Sequence, residues 1–130
     1  MTYFWIALGG ALGALSRFGL SGMIGHLAAT HIPERAHFPF GTFSINVLGS
    51  FTIGVLWVWL VQQNNGGDYA RFLFITGFLG AFTTFSSFSL ESIMLLEQER
   101  WLSFALYAGG SLITCLIMTA VGIGLAKQFV

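Results

Sequence analysis

Four long apolar stretches, separated by short polar connections, constrain this chain more than any other feature. A helix that crosses a bilayer needs about 20 mostly apolar residues. The connections hold most of the charged and turn-forming residues and leave no room for a soluble domain. The sequence therefore predicts one all-α membrane domain over residues 1–130, with transmembrane helices at 3–29, 40–62, 71–97 and 101–127.

The composition excludes several classes of protein. Only 8% of the residues are charged and the mean hydropathy is +0.80, whereas soluble domains carry about 25% charged residues. The net charge is zero and no basic tract occurs, so we expect no nucleic-acid partner. The three histidines lack companions at metal-ligand spacing, and no nucleotide-binding glycine motif is present, so we predict that the chain is not an enzyme. The single cysteine, Cys115, is interpreted as a small buried apolar residue.

The positive charges show no bias between the two membrane faces. Arg71 and Lys127 fall on the face that holds both termini, while Arg35 and Arg100 fall on the opposite face. Because Lys and Arg in short loops set orientation, a balanced chain can insert both ways and pair as an antiparallel, dual-topology homodimer. Weakly biased proteins with one fixed orientation also exist. Four helices leave no central passage, so we expect any transport path to form between subunits.

Polar side chains at membrane depth are the candidate functional residues, because each costs free energy unless a partner satisfies it. Arg17 lies in the middle of the first helix, where it either serves a function or ties helices together. Thr42 and Asn46 share one face of the second helix, as Tyr107 and Ser111 do in the fourth. The alternative for these residues is structural: hydrogen bonds between helices or back to helix carbonyls.

The third apolar stretch is the most unusual, because glycines and hydroxyl residues crowd positions 76–89. Such a composition disfavours an uninterrupted helix, so we predict a break near Gly80–Thr84, of the kind that frames ion sites in membranes. Phe82, Phe85 and Phe88 recur every three residues and are predicted to lie on one side. Their positive ring edges, flanked by hydroxyls, suit a small anion, although simple packing is the alternative.

Three segments together, 9–18, 41–51 and 77–88, resemble the Fluc family of microbial fluoride channels. The resemblance implies an antiparallel homodimer in the inner membrane with two fluoride pores. It further implies a structural Na⁺ held by backbone carbonyls of Gly80 and Thr83, and a mainly structural Arg17. Ala81 stands where the family often has glycine, and Ser87 where it often has threonine. The implied pore residues are Asn46, Phe85, Phe88, Thr42, Ser87, Tyr107 and Ser111.

The function implied by the resemblance is passive, fluoride-selective export that confers fluoride resistance. One alternative is a small dual-topology, proton-coupled multidrug transporter, which needs a carboxylate in the first helix; that helix has Arg17 and no acid. The other alternative is a membrane scaffold without a transport role, in which the polar residues would affect stability alone.

Overall fold

The computed structural model describes residues 1–35 and 37–130, and every regular element within them is helical. Four long helices are each apolar enough to cross a membrane, which confirms the predicted number. We call them the first to fourth spans: Thr2–His31, Phe40–Gln62, Gly67–Glu97 and Trp101–Lys127.

The predicted boundaries differ most at the start of the third span, which begins at Gly67 rather than at residue 71. Gly66 and Gly67 have φ angles of 83° and 62°, a left-handed conformation that glycine adopts without steric cost. This turn allows the helix to begin at Gly67. The charged residue Asp68 is the reason why the sequence analysis assigned this segment to a connection.

Two stretches next to the second connection are π-helical rather than α-helical. They are Trp57–Gln62, at the end of the second span, and Arg71–Leu79, in the third. Hydrophobic periodicity did not predict them. Long π-helical stretches are rare and frequently accompany functional sites, and Arg71–Leu79 leads directly to the predicted break.

Glycines let the spans approach one another at backbone distance. Gly9 and Gly13 of the first span lie against the backbone of the third span at Leu73 and Phe78. Gly54 of the second span lies in the same way against the backbone of the fourth. Because lipid provides no hydrophobic driving force between helices, such close contact is a main source of helix association.

The apolar core is small and most large apolar side chains point outwards. Ile45, Leu79 and Phe82 form a buried cluster at the meeting of the second and third spans. Many leucines, isoleucines and phenylalanines of the first and fourth spans are exposed instead. An outward apolar surface is what a helix bundle presents to lipid tails, in agreement with a multi-pass membrane protein.

A hydrogen bond joins the first connection to the start of the fourth span. His37 Nε2 lies 2.9 Å from Ser103 Oγ. Loss of hydration at the ring, together with the nearby positive charge of Arg100, lowers the pKa of His37 below its usual value. The folded chain therefore favours the neutral ring, and protonation of His37 at lower pH is expected to cost stability.

We expect Gly13→Ala to destabilise the protein by about 1–3 kcal/mol, because the new Cβ would overlap the carbonyl of Phe78 and force the first and third spans apart. The measurement is the unfolding transition of the purified protein in detergent, followed by circular dichroism. Gly19→Ala on the same helix is the control, since open space surrounds that position. Equal transitions for the two variants would contradict the packing described above.

Candidate functional site

The third span is interrupted near its centre. Thr83 has φ −85° and ψ 156°, and Thr84 has φ −148° and ψ 117°, so both residues are extended. Gly80 remains helical, with φ −59° and ψ −33°. The interruption thus lies inside the predicted interval Gly80–Thr84 but occupies only its last two residues.

The side chain of Asn46 in the second span stabilises the interruption of the third span. The backbone N–H of Thr84 donates to Asn46 Oδ1 at 2.8 Å, and Asn46 Nδ2 donates to the Thr84 carbonyl at 3.1 Å. One amide thus satisfies both backbone groups of an extended residue inside a membrane span, where lipid offers no hydrogen-bond partner. The amide orientation follows, because an N–H must donate and a carbonyl must accept.

Thr84 also restarts the helix. Its Oγ1 accepts a hydrogen bond from the backbone N–H of Ser87 at 3.1 Å, the usual arrangement of a threonine that caps a helix N-terminus. The hydroxyl in turn donates to Ser87 Oγ, also at 3.1 Å. The structure therefore places Ser87, a predicted pore residue, in the hydroxyl cluster of this cap.

The same two contacts release two backbone carbonyls. In a continuous helix the N–H of Thr84 would bond to the carbonyl of Gly80, and the N–H of Ser87 to that of Thr83. Both N–H groups are engaged elsewhere, by Asn46 and by the Thr84 hydroxyl. The carbonyls of Gly80 and Thr83, singled out for Na⁺ in the sequence analysis, therefore lose their helical partners.

A groove of about 390 Å³ lies beside the break. It contains four of the predicted pore residues, Asn46, Phe85, Phe88 and Ser111, together with Gly80 and Thr83. Phe85 is 80% exposed, so the groove opens at the surface of the chain instead of passing through its centre.

Two hydrogen-bond donors in the groove wall have capacity to spare. Asn46 Nδ2 carries two N–H groups, and the contact with Thr84 uses one of them. Ser111 is 6% exposed, and its Oγ has no hydrogen-bond partner among the described residues. Because buried hydroxyls are nearly always paired, Ser111 marks a position that suits a hydrogen-bonding occupant.

Phe82 does not share a side with Phe85 and Phe88, so that prediction was wrong. Its ring stacks on Phe78, with centroids 5.6 Å apart and an interplanar angle of 13°, and it belongs to the buried core. The three-residue spacing assumed a continuous helix. The extended residues at the break rotate the chain, so residues before and after it face different ways.

Thr42 and Tyr107 lie next to the groove and share one partner, Glu91. Thr42 Oγ1 donates to Glu91 Oε1 at 2.8 Å, and Tyr107 Oη donates to Glu91 Oε2 at 2.6 Å. Tyr107 is 0% exposed. Sequence reasoning assigned Glu91 no role, although an acidic residue within an apolar span is itself a signal, because it needs partners.

An aromatic row links this carboxylate to the groove. The Phe88 ring lies 5.3 Å from that of Tyr107, and the Phe85 ring lies 5.5 Å from that of Phe88, measured between centroids. Both pairs are tilted, which turns ring edges as well as faces towards the surroundings. Glu91, Tyr107, Phe88 and Phe85 therefore form a row that ends in the groove.

Arg17 lies apart from this row. It is half-buried on the face of the first span that carries Gly9 and Gly13, and it is absent from the residues that line the groove. Its guanidinium makes no hydrogen bond or ion pair with any described residue. The structural role expected for Arg17 stays a prediction.

Comparison with known proteins identifies the family. The profile of the family described as CrcB-like protein, Camphor Resistance (CrcB), matches residues 4–123. The chain belongs to the CrcB family. A relative from Nitratidesulfovibrio vulgaris is 42% identical over 122 residues, with 94% of each chain covered. One from Hahella chejuensis is 41% identical, with 95% of this chain and 92% of the relative covered.

A third relative, from Helicobacter pylori, is 41% identical over 128 residues, covering 98% of this chain and 95% of the relative. All three relatives bear the name "Fluoride-specific ion channel FluC". The resemblance drawn from the three sequence segments is thereby confirmed at the level of the family.

We expect Asn46→Ala to lower the free energy of unfolding by about 1–3 kcal/mol, because the N–H and carbonyl of Thr84 would lose their partners inside the protein. Thermal unfolding in detergent measures the effect. Asn65→Ala, in the exposed second connection, is the matched control and is expected to change little. A control as destabilised as the Asn46 variant would argue against the role assigned to the amide.

Tyr107→Phe is expected to cost about 1–3 kcal/mol, because Glu91 Oε2 loses a donor in a buried setting. Tyr3→Phe, at an exposed tyrosine, serves as the control. A double-mutant cycle with Glu91→Gln, measured by the same unfolding assay, gives the coupling between the two side chains. Additive effects would mean that the charge of Glu91 adds nothing to this hydrogen bond.

Proposed function

We propose that this protein is a fluoride-selective channel that passively exports cytoplasmic fluoride across the inner membrane and so confers fluoride resistance. The observation that carries the proposal is a groove whose free donors are neutral. Asn46 and Ser111 offer an N–H and a hydroxyl, and none of the described residues that line the groove is charged. The names of the relatives support the same substrate.

Neutral donors suit a small anion that must also leave. Fluoride binds water tightly, so a pore has to replace that water with donors at close range. The spare N–H of Asn46, the Ser111 hydroxyl and the ring edges of Phe85 and Phe88 supply such replacements. A fixed cation among them would hold the ion, whereas several weak sites in sequence allow it to move on.

The position of the groove supports a two-chain assembly. It lies on the flank of the helix bundle, with Phe85 exposed, so a second chain would be needed to close its open side. An antiparallel, dual-topology homodimer would do this twice, which gives two pores. The even division of Arg35, Arg71, Arg100 and Lys127 between the two membrane faces is consistent with insertion in both orientations.

A structural Na⁺ fits the released carbonyls at the break. Oxygen ligands from backbone carbonyls at a broken helix are the usual setting for Na⁺ in membrane proteins. Each chain offers the carbonyls of Gly80 and Thr83, so two chains would offer twice as many. Such an ion would hold the two breaks together at the interface. The Asn46–Thr84 contact leaves the Gly80 carbonyl available, and the Thr84 cap leaves that of Thr83 available.

Export requires no energy coupling. At low external pH, HF crosses the membrane and dissociates in the more alkaline cytoplasm, which traps fluoride there. The negative-inside potential then drives the anion outwards through any selective path. The multidrug-transporter alternative lacks its first-span carboxylate, and the oxygens of Glu91 in the third span are occupied by two hydroxyls.

The test is fluoride efflux from liposomes that contain the purified protein, followed with a fluoride electrode. We expect efflux of fluoride but not of chloride. Phe85→Ile removes the ring edge from the groove, and Asn46→Asp replaces the N–H donor with a carboxylate oxygen, so both variants are expected to abolish efflux. Phe74→Ile, at an exposed phenylalanine of the same span outside the groove, is the control and should conduct.

Two results would oppose the proposal. A well-folded protein without fluoride efflux would exclude a channel and favour a scaffold. Efflux that survives both Phe85→Ile and Asn46→Asp would place the ion path elsewhere. Size-exclusion chromatography of each variant before reconstitution separates loss of transport from loss of folding.

A further inference from the structure

Cys115 lies in the wall of the groove, whereas the sequence analysis interpreted it as a buried residue. The apolar run around it predicted a small buried residue, but the structure leaves it half-buried beside the break. It follows Ser111 by one helical turn on the same face of the fourth span. Its neighbours in the wall include Asn46, Thr83 and Phe85.

The serine one turn away indicates what fills the groove at this depth. The Oγ of Ser111 is buried and lacks a partner among the described residues. A polar group in that condition normally bonds to an ordered water or an ion. A groove with such a group in its wall suits water, and a water-filled groove would be open to small water-soluble reagents.

We propose that Cys115 is a covalent modification site at which small, water-soluble thiol reagents enter the groove and stop ion flux. The block rests on the proposed function, whereas the reachability of the thiol does not. The reagent class is that of the methanethiosulfonates. The Cys115 thiolate attacks the sulfenyl sulfur of the reagent, a new S–S bond forms, the S–SO₂ bond breaks, and methanesulfinate leaves with the electron pair.

The expected consequence of modification follows from the site. A sulfonatoethyl adduct on Cys115 would place a bulky negative charge in a groove of about 390 Å³. It would fill the space next to Ser111 and repel an approaching anion. A permanently charged reagent crosses lipid poorly, so labelling by it reports access through water and not through the membrane interior.

The experiment treats the reconstituted wild-type protein with sodium (2-sulfonatoethyl) methanethiosulfonate, then measures both the intact mass and fluoride efflux. We expect one adduct per chain, since the chain has a single cysteine, and loss of efflux that a reducing agent reverses. Cys115→Ser keeps a small polar side chain without a thiol. It is expected to conduct before and after treatment and to gain no mass.

The outcomes separate the two claims. A protein that conducts fluoride but gains no mass overturns the Cys115 site and leaves the channel intact. Labelling without loss of efflux shows that the thiol lies off the ion path and overturns the block. Absence of efflux before treatment overturns the proposed function, and the mass measurement then still decides whether water reaches the thiol.

Discussion

The structure depends on one pair of hydrogen bonds, those between the Asn46 amide and the backbone of Thr84. An extended residue in the middle of a membrane span is costly, because its N–H and carbonyl lose their helical partners and lipid offers none. Asn46, on a neighbouring helix, offsets that cost because its side chain forms hydrogen bonds with both groups. This contact stabilises the interruption of the third span and leaves the carbonyl of Gly80 without its helical partner, and Asn46 itself lines the groove.

The packing of the spans explains why the polar site lies at the surface of the chain. Glycines such as Gly13 and Gly54 bring helix backbones into direct contact, so the centre of the bundle is closed. The third span is extended at Thr83 and Thr84, and the groove forms beside these residues. A single chain therefore presents a groove with one open side, which is the side that the proposed antiparallel dimer would close.

Sequence reasoning succeeded where the signal was local and failed where it needed a neighbour in space. Apolar length fixed the four spans, and helix-breaking composition located the interruption. The same reasoning placed Phe82 with Phe85, because a periodicity argument assumes one continuous helix. It passed over Glu91, since the hydroxyls that satisfy this acid come from the second and fourth spans, far away in sequence.

By itself, the sequence determined that this protein is a multi-pass helical membrane protein with an interrupted third helix, and its motifs determined the family. Hydrophobic length and composition are properties of each segment alone, so no structure was needed to read them. Only the tertiary structure decided that Asn46 meets Thr84, that Ser111 keeps an unpaired hydroxyl, and that Cys115 faces the groove. Each of these facts depends on how separate helices pack against one another. Hydrogen bonds between residues that are distant in sequence cannot be predicted from any one segment.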